Sequence, residues 1–212
     1  MSMYTSRLTA LPAKATFGQA RRDSRVLSAD DKWLASGSYD KTVKVWDTAT
    51  GVCLQTFEGH SHWVYSVVFS ADNERLASGS LDNTIKVWDT ATGVCLQTLE
   101  GHSNWVSSVV FSADGKRLAS GSDDETIKVW DAATGVWLQT LVVERTPTYL
   151  SFDPSTNSRI STGIGSLNLN LSHTMEGVCF GYLQSIDRRF RLSWGRLSWG
   201  RQLLLAAEEA VY

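Results

Sequence analysis

The sequence predicts an all-β protein built from repeated four-stranded blades, a β-propeller, and three observations predict it. First, landmarks recur at a fixed step. Trp46, Trp88 and Trp130, each in "KVWD", stand 42 residues apart, as do His60 and His102, and "LASGS" begins at Leu34, Leu76 and Leu118. Second, roughly four in five positions match between residues 59–100 and 101–142, and self-similarity at such a period marks a repeat architecture. Third, "WVYSVVF", "RLASGS", "TIKVWD" and "VCLQTL" are short β-branched runs with period-two alternation, and the turn formers "SADNE", "LDN" and "TATG" separate them. Four short strands per 42 residues is the pattern of a propeller blade. A helical repeat would need period 3.6, which is absent.

The elements follow in chain order. Residues 1–24 are read as an irregular segment. Its first 22 residues carry Arg7, Lys14, Arg21 and Arg22 and no acid, a composition like a mitochondrial presequence. Pro12 interrupts any amphipathic helix there, however, and an altered start in place of a missing strand is the reading taken. Residues 25–141 hold three repeats. In the first, "ARRDSRVLSADDKW" is expected to have lost most of the first strand together with the "GH" that opens the other units. Residues 142–172 are read as a degenerate fourth blade with strands in "TYLSF", "SRIST" and "GSLNLNL". Residues 173–212 are read as an irregular tail. Within it, "RRFRLSWGRLSWGR" (188–201) interleaves arginine and tryptophan, a pattern that can hold RNA or a membrane surface. No binding module surrounds it, and a tandem duplication of "RLSWG" accounts for it. "LLLAAEEA" could make a short helix. The total is about three to four blades, a partial propeller where four to eight blades are usual. The chain is read as a piece of a larger propeller protein, with a strained four-blade ring or a self-completing dimer as the alternatives.

Bulk properties narrow the function. The formal net charge is −2, which argues against bulk attraction to nucleic acid. Nine tryptophans imply a recurrent structural need for that side chain. Cys53, Cys95 and Cys179 are odd in number and widely spaced, which suits a reducing compartment. The cysteines and histidines lack zinc spacing. No apolar run reaches membrane-span length and no secretory signal is visible. The expected location is the cytoplasm, with mitochondrial association a lesser alternative. Phosphate-loop, dinucleotide and "HExxH" motifs are absent. Asp123, Asp124 and Glu125 could suggest a cation site, but Ca²⁺ takes six or more oxygen ligands, and a surface turn is favoured. No metal and no cofactor is expected.

The motif "GH…LASGS.D.TIKVWD" resembles the WD-repeat (WD40) β-propeller family, over about residues 25–141. Units this uniform, followed by "TYLSFDPSTNSRISTGIG", are most similar to the C-terminal propellers of fungal NACHT–WD-repeat proteins of the vegetative-incompatibility type. The resemblance implies a non-catalytic protein-interaction scaffold, which in such relatives acts as the sensor attached to a nucleotide-switch domain. A second implication is an adaptor of mitochondrial fission, a role of some fungal WD-repeat proteins. It also implies a hydrogen-bonded tetrad of His60, Ser78, Asp82 and Trp88, repeated as His102, Ser120, Asp124 and Trp130. The first unit offers only Ser36, Asp40 and Trp46.

Serine, histidine and aspartate together also spell a hydrolase triad. That rival reading meets two obstacles. "LASGS" lies in a strand followed by another strand, with no nucleophile elbow or oxyanion hole. The set also recurs at fixed spacing, which blades do and active sites seldom do.

Differences between such similar units are informative. The residue before the tetrad aspartate reads Tyr39, Leu81, Asp123, and the residue after it reads Lys41, Asn83, Glu125. The loop entering the first strand of the unit has His62 against Asn104, and that strand has Tyr65 against Ser107. The family resemblance places Tyr39, Leu81, Asp123, Trp63, Tyr65, Trp105 and Ser107 on the top face. Exposed aromatics within a polar rim are the composition of an interaction hot spot. The expected partner is a protein, bound on that face. No nucleic acid or membrane span is expected, and self-association through open blade edges is allowed for.

Overall fold

The computed structural model describes residues 24–147, 149–163 and 165–169. Four antiparallel sheets follow one another in sequence. Blade 1 holds β1 (Arg25–Leu27), β2 (Trp33–Gly37), β3 (Val43–Asp47) and β4 (Cys53–Phe57). Blade 2 holds β5 (Val64–Phe69), β6 (Arg75–Ser80), β7 (Ile85–Asp89) and β8 (Cys95–Leu99). Blade 3 holds β9 (Val106–Phe111), β10 (Arg117–Ser122), β11 (Thr126–Asp131) and β12 (Trp137–Val142). Blade 4 holds β13 (Leu150–Phe152), β14 (Arg159–Thr162) and β15 (Gly165–Asn168). In every sheet each strand pairs with its neighbour in sequence, the order that short hairpins produce.

Local chemistry makes these hairpins. In the turn after β7, Asp89 Oδ1 accepts from the Thr92 N–H and hydroxyl, both at 2.7 Å. Gly93, at φ +76°, returns its N–H to the Asp89 carbonyl. This is an Asx turn closed by a left-handed residue, and "WDTATG" spells it. Between β5 and β6, Ser70 N–H reaches the Arg75 carbonyl at 2.9 Å, and Asn73 takes a positive φ of 61°.

Blade 1 corrects one expectation. Its first strand is retained as the three-residue β1, paired Arg25 with Ser36, Val26 with Ala35 and Leu27 with Leu34. The reason lies in the turn rather than the strand. Ser28 N–H bonds the Trp33 carbonyl at 2.8 Å, as Ser70 does one blade on, so "SADD" closes the same hairpin that "SADN" closes. Blade 4 is shorter than the others: its described residues form three strands, which lie in "TYLSF", "SRIST" and "GSLNLNL".

The core is three apolar layers between successive sheets. Ala35, Val43, Val45 and Phe57 of blade 1 meet Val67, Phe69, Leu76 and Trp88 of blade 2. Ala77, Ile85, Val87 and Leu99 meet Val109, Phe111, Leu118 and Trp130. Ala119, Ile127, Val129 and Leu141 meet Leu150, Phe152, Ile160 and Leu167. Among the described residues no such layer joins blade 4 to blade 1, so the propeller is not closed. The glycine of "LASGS" is set by blade spacing: a Cβ at Gly79 would stand 2.7 Å from Val106 Cγ1, and one at Gly37 equally close to Val64 Cγ1.

Candidate functional site on the top face

The turns between the second and third strands of blades 1 to 3 and the loops entering the first strands of blades 2 and 3 meet at one end of the blades, the top. Leu81 N–H donates to the Trp63 carbonyl and Asp123 N–H to the Trp105 carbonyl, each at 2.9 Å. These bonds fix the turn that carries the variable residues against the loop that carries the tryptophans.

Beneath them lie the histidine, serine, aspartate and tryptophan. In blade 2, His60 Nδ1 is 2.8 Å from Asp82 Oδ2 and His60 Nε2 is 2.8 Å from Ser78 Oγ. Trp88 Nε1–H donates to Ser78 Oγ, also at 2.8 Å. A carboxylate only accepts, so Nδ1 carries the proton and Nε2 accepts from the serine hydroxyl. The relay runs Trp88 to Ser78 to His60 to Asp82, with every member partnered. Blade 3 repeats it, with His102 at 2.8 Å from both Asp124 and Ser120, and Trp130 at 2.9 Å from Ser120. Among the described residues blade 1 keeps, of this relay, the Trp46 indole on Ser36, at 2.9 Å. Trp46 is half-buried there, whereas Trp88 is 1% exposed.

Charge follows from this arrangement. Burial alone would raise the Asp82 carboxyl, but bonds from His60, Thr84 and the Ser61 N–H override it and hold the group well below the usual carboxylate range. Asp124 is lowered likewise, burial being outweighed by Thr126 and His102. Burial pushes His102 below its ordinary value, and Asp124 only partly offsets that. Ser78 is 0% exposed. Its hydroxyl is spent on a histidine and an indole, so no substrate carbonyl can reach it as a nucleophile would require.

Sequence reading missed the threonine two residues beyond each aspartate. Thr84 Oγ1 and N–H both reach Asp82 Oδ1, at 2.7 and 3.0 Å, and Thr126 does the same to Asp124. The recurring "D-x-T" was the available signal. Among the described residues no group of three or more histidine, cysteine or acidic side chains could hold a metal.

At the surface the aromatics bridge neighbouring blades. Tyr39 of blade 1 lies over Trp63 of blade 2, centroids 4.5 Å apart, with His62 edge-on at 5.3 Å. Tyr65 of blade 2 faces Trp105 of blade 3 at 6.4 Å. Trp63 is 39% and Trp105 44% exposed, while Tyr39, Tyr65, Leu81, Ser107 and Asp123 are half-buried. Ser107 has a local use: its hydroxyl donates to the Gly121 and Pro147 carbonyls, at 3.2 and 3.3 Å. Where blade 3 offers Trp105 to Tyr65, blade 4 offers the Pro147 backbone, and serine fits it. The outer rim carries a further exposed aromatic that the sequence reading passed over, Trp137 at 46%, with Lys128 Nζ 4.7 Å above its ring.

Comparison with known proteins agrees with this architecture. The family model described as "WD domain, G-beta repeat" matches residues 21–47, 51–89 and 93–131. The chain belongs to the WD-repeat family. Two similar proteins bear the name Lissencephaly-1 homolog. The one from Heterostelium pallidum is 60% identical over 37 residues, 18% of this chain and 9% of that protein. The one from Branchiostoma floridae is 49% identical over 51 residues, 22% of this chain and 13% of that protein. The matched stretches are thus a small part of those relatives' length. WD repeats form protein-interaction scaffolds, and this chain has that scaffold's blades. No helix among the described residues is long and apolar enough to cross a membrane.

Proposed function

We propose that this chain is a non-catalytic scaffold whose protein partner docks on the top face, across Tyr39–Trp63 and Tyr65–Trp105. One observation carries the reading: two tryptophans about two-fifths exposed, at equivalent places, each backed by a tyrosine of the preceding blade. Large aromatics held in place by a neighbour offer contact area with little entropy left to lose, the property of binding anchors. Leu81 and Asp123, anchored through their backbone, would adjust what is recognised beside each anchor. The near-identity of the units supports kinship with the sensor propellers of fungal NACHT–WD-repeat proteins, in which this face would be the sensing surface.

The test is affinity capture from the native cell extract with wild type, Trp63→Ala, Trp105→Ala and Trp137→Ala, the last as the rim control. Each variant is first checked for an unchanged circular dichroism spectrum. Partners lost with Trp63→Ala and Trp105→Ala but kept with Trp137→Ala support a top-face site. Capture unchanged by both top-face substitutions refutes it.

A further inference from the structure

Blades 1, 2 and 3 share a row of residues on the side facing the next blade. The strand registers align Val26, Ala35 and Val45 in blade 1, Val68, Ala77 and Val87 in blade 2, and Val110, Ala119 and Val129 in blade 3. Each row packs into the layer formed with the following blade. In blade 4 the same registers align Ser151, Ser161 and Ser166. The opposite row of that sheet, Phe152, Ile160 and Leu167, is ordinary and is buried against blade 3.

Among the described residues the strands of blade 4 are therefore apolar on one face only. Their other face holds the three serines, each half-buried, with Arg159 and Asn168 exposed at its margin and the exposed Tyr149 two residues before Ser151. The hydroxyls of Ser161 and Ser166 lie 3.2 Å apart, Ser151 Oγ turns to the Phe152 carbonyl at 3.3 Å, and Arg159 Nε donates to Asn168 Oδ1 at 3.2 Å. A docking blade would present a row such as Phe69, Leu76 and Trp88, in which only the indole N–H can hydrogen-bond and that group is already taken by Ser78. Packing it here would strip water from three hydroxyls whose only protein bonds among the described residues are one shared between Ser161 and Ser166 and one from Ser151 to a carbonyl, and would offer nothing to their remaining hydrogen-bonding capacity. Repeat arrays end in units with a polar outer face for this reason.

We propose that Ser151, Ser161 and Ser166 make blade 4 a terminal cap, a face that rejects a further blade. The arc then neither closes through this face nor stacks head to tail on a second copy, which would be the heterologous contact that grows into filaments.

Two measurements on the full chain test this. In a background with Cys53, Cys95 and Cys179 replaced by serine, maleimide labelling compares Ser166→Cys with Ala119→Cys, the latter inside the layer between blades 3 and 4. The cap predicts labelling of Ser166→Cys at least about a hundredfold faster, since the buried thiol reacts only through local opening. Equal protection means that something covers the serine face and overturns the proposal. The second measurement restores the apolar row with Ser151→Val, Ser161→Ala and Ser166→Val together. Light scattering over a hundredfold range of concentration should show association beyond that of wild type, and Ser161→Ala alone should show a smaller shift if the triple variant misfolds. An unchanged mass for both overturns the cap. So does wild-type association that Ser166→Asp abolishes, which would make the face an interface.

Discussion

Replacing Ser78 with alanine separates a buried hydrogen-bond relay from a decorative one. The Ser78 side chain is fully buried and joins two groups that have no substitute. Alanine leaves the Trp88 indole N–H without its 2.8 Å acceptor and His60 Nε2 without its 2.8 Å donor. An unsatisfied buried polar group costs about 1–3 kcal/mol, so with two such groups the loss should be about 2–6 kcal/mol. Ser36→Ala supplies the internal standard. Among the described residues Ser36 Oγ is bonded to the Trp46 indole and to no histidine, so one group rather than two loses its partner and about half the Ser78 loss, about 1–3 kcal/mol, is expected there. Urea unfolding followed by tryptophan fluorescence and by circular dichroism reads both losses, and coincident transitions establish that one free energy applies. The reasoning fails if Ser78→Ala and Ser36→Ala shift the midpoint equally. It also fails if Ser78→Ala alone costs less than about 0.5 kcal/mol, the low end for a single net bond.

Three further outcomes follow from the same geometry. Gly79→Ala places a Cβ 2.7 Å from Val106 Cγ1 and 3.1 Å from Val109 Cγ1; overpacking should destabilise by about 1–3 kcal/mol, and an unchanged urea midpoint would contradict the close-approach account. Gly115→Asn should stabilise by about 0.5–1 kcal/mol: Asn73 and Asn157 hold the same left-handed turn and accept the N–H of Ala29 and Ala113 from the preceding blade at 2.9 and 3.0 Å, while a Cβ at Gly115 meets only Arg75 at an ordinary 3.6 Å. Acid should weaken the fold in two stages. The folded-state value of His102 is lowered, so below the unfolded value near 6.5 the unfolded chain takes up the proton first and stability falls. Asp82 and Asp124 are lowered too, so their contribution is present above about pH 4 and is lost as pH drops through their folded values. Thermal melts from pH 7.5 to 3 should therefore decline throughout, and a melting temperature that rises between pH 6.5 and 5 would refute the His102 part.

Much of the fold was legible because a blade is a local object. Trp46, Trp88 and Trp130 at one step fix the unit, "TATG" and "SADN" fix its turns, and period two fixes its strands. Strand β1 was harder to read because "RVL" lacks the long apolar alternation of "VYSVVF"; its pairing is held by Ser28 and Trp33 in the turn, and "SADDKW" carried that signal. The stitches between blades were not legible. Asn73 reaches Ala29 across 44 residues, and Arg75 donates to the Gly115 and Ala132 carbonyls, 40 and 57 residues away. Nothing in a linear pattern sets those residues side by side until the curvature of the arc is known. Within the tetrad the side chains were readable from their spacing, but the direction of each bond was not: it follows from a carboxylate that can only accept.

The differences between units fall into two physical kinds. His62 and Asn104 look like a change of chemistry, yet His62 Nδ1 accepts the Trp63 N–H at 2.8 Å and Asn104 Oδ1 accepts the Trp105 N–H at 2.9 Å. That exchange preserves one local bond. Ser107 against Tyr65 is likewise matched to the neighbouring blade, since the serine hydroxyl meets the Pro147 carbonyl. Leu81 and Asp123 are the other kind. Each makes the same backbone bond to its tryptophan, so the scaffold is indifferent to the side chain, and an apolar group has been exchanged for a carboxylate beside an exposed indole. Tyr39 belongs with them, its ring laid over Trp63. If the top face is where a partner is read, exchanging Leu81 and Asp123 should alter which partner is captured while leaving stability within about 0.5 kcal/mol, the range of surface substitutions, whereas exchanging His62 and Asn104 should alter neither.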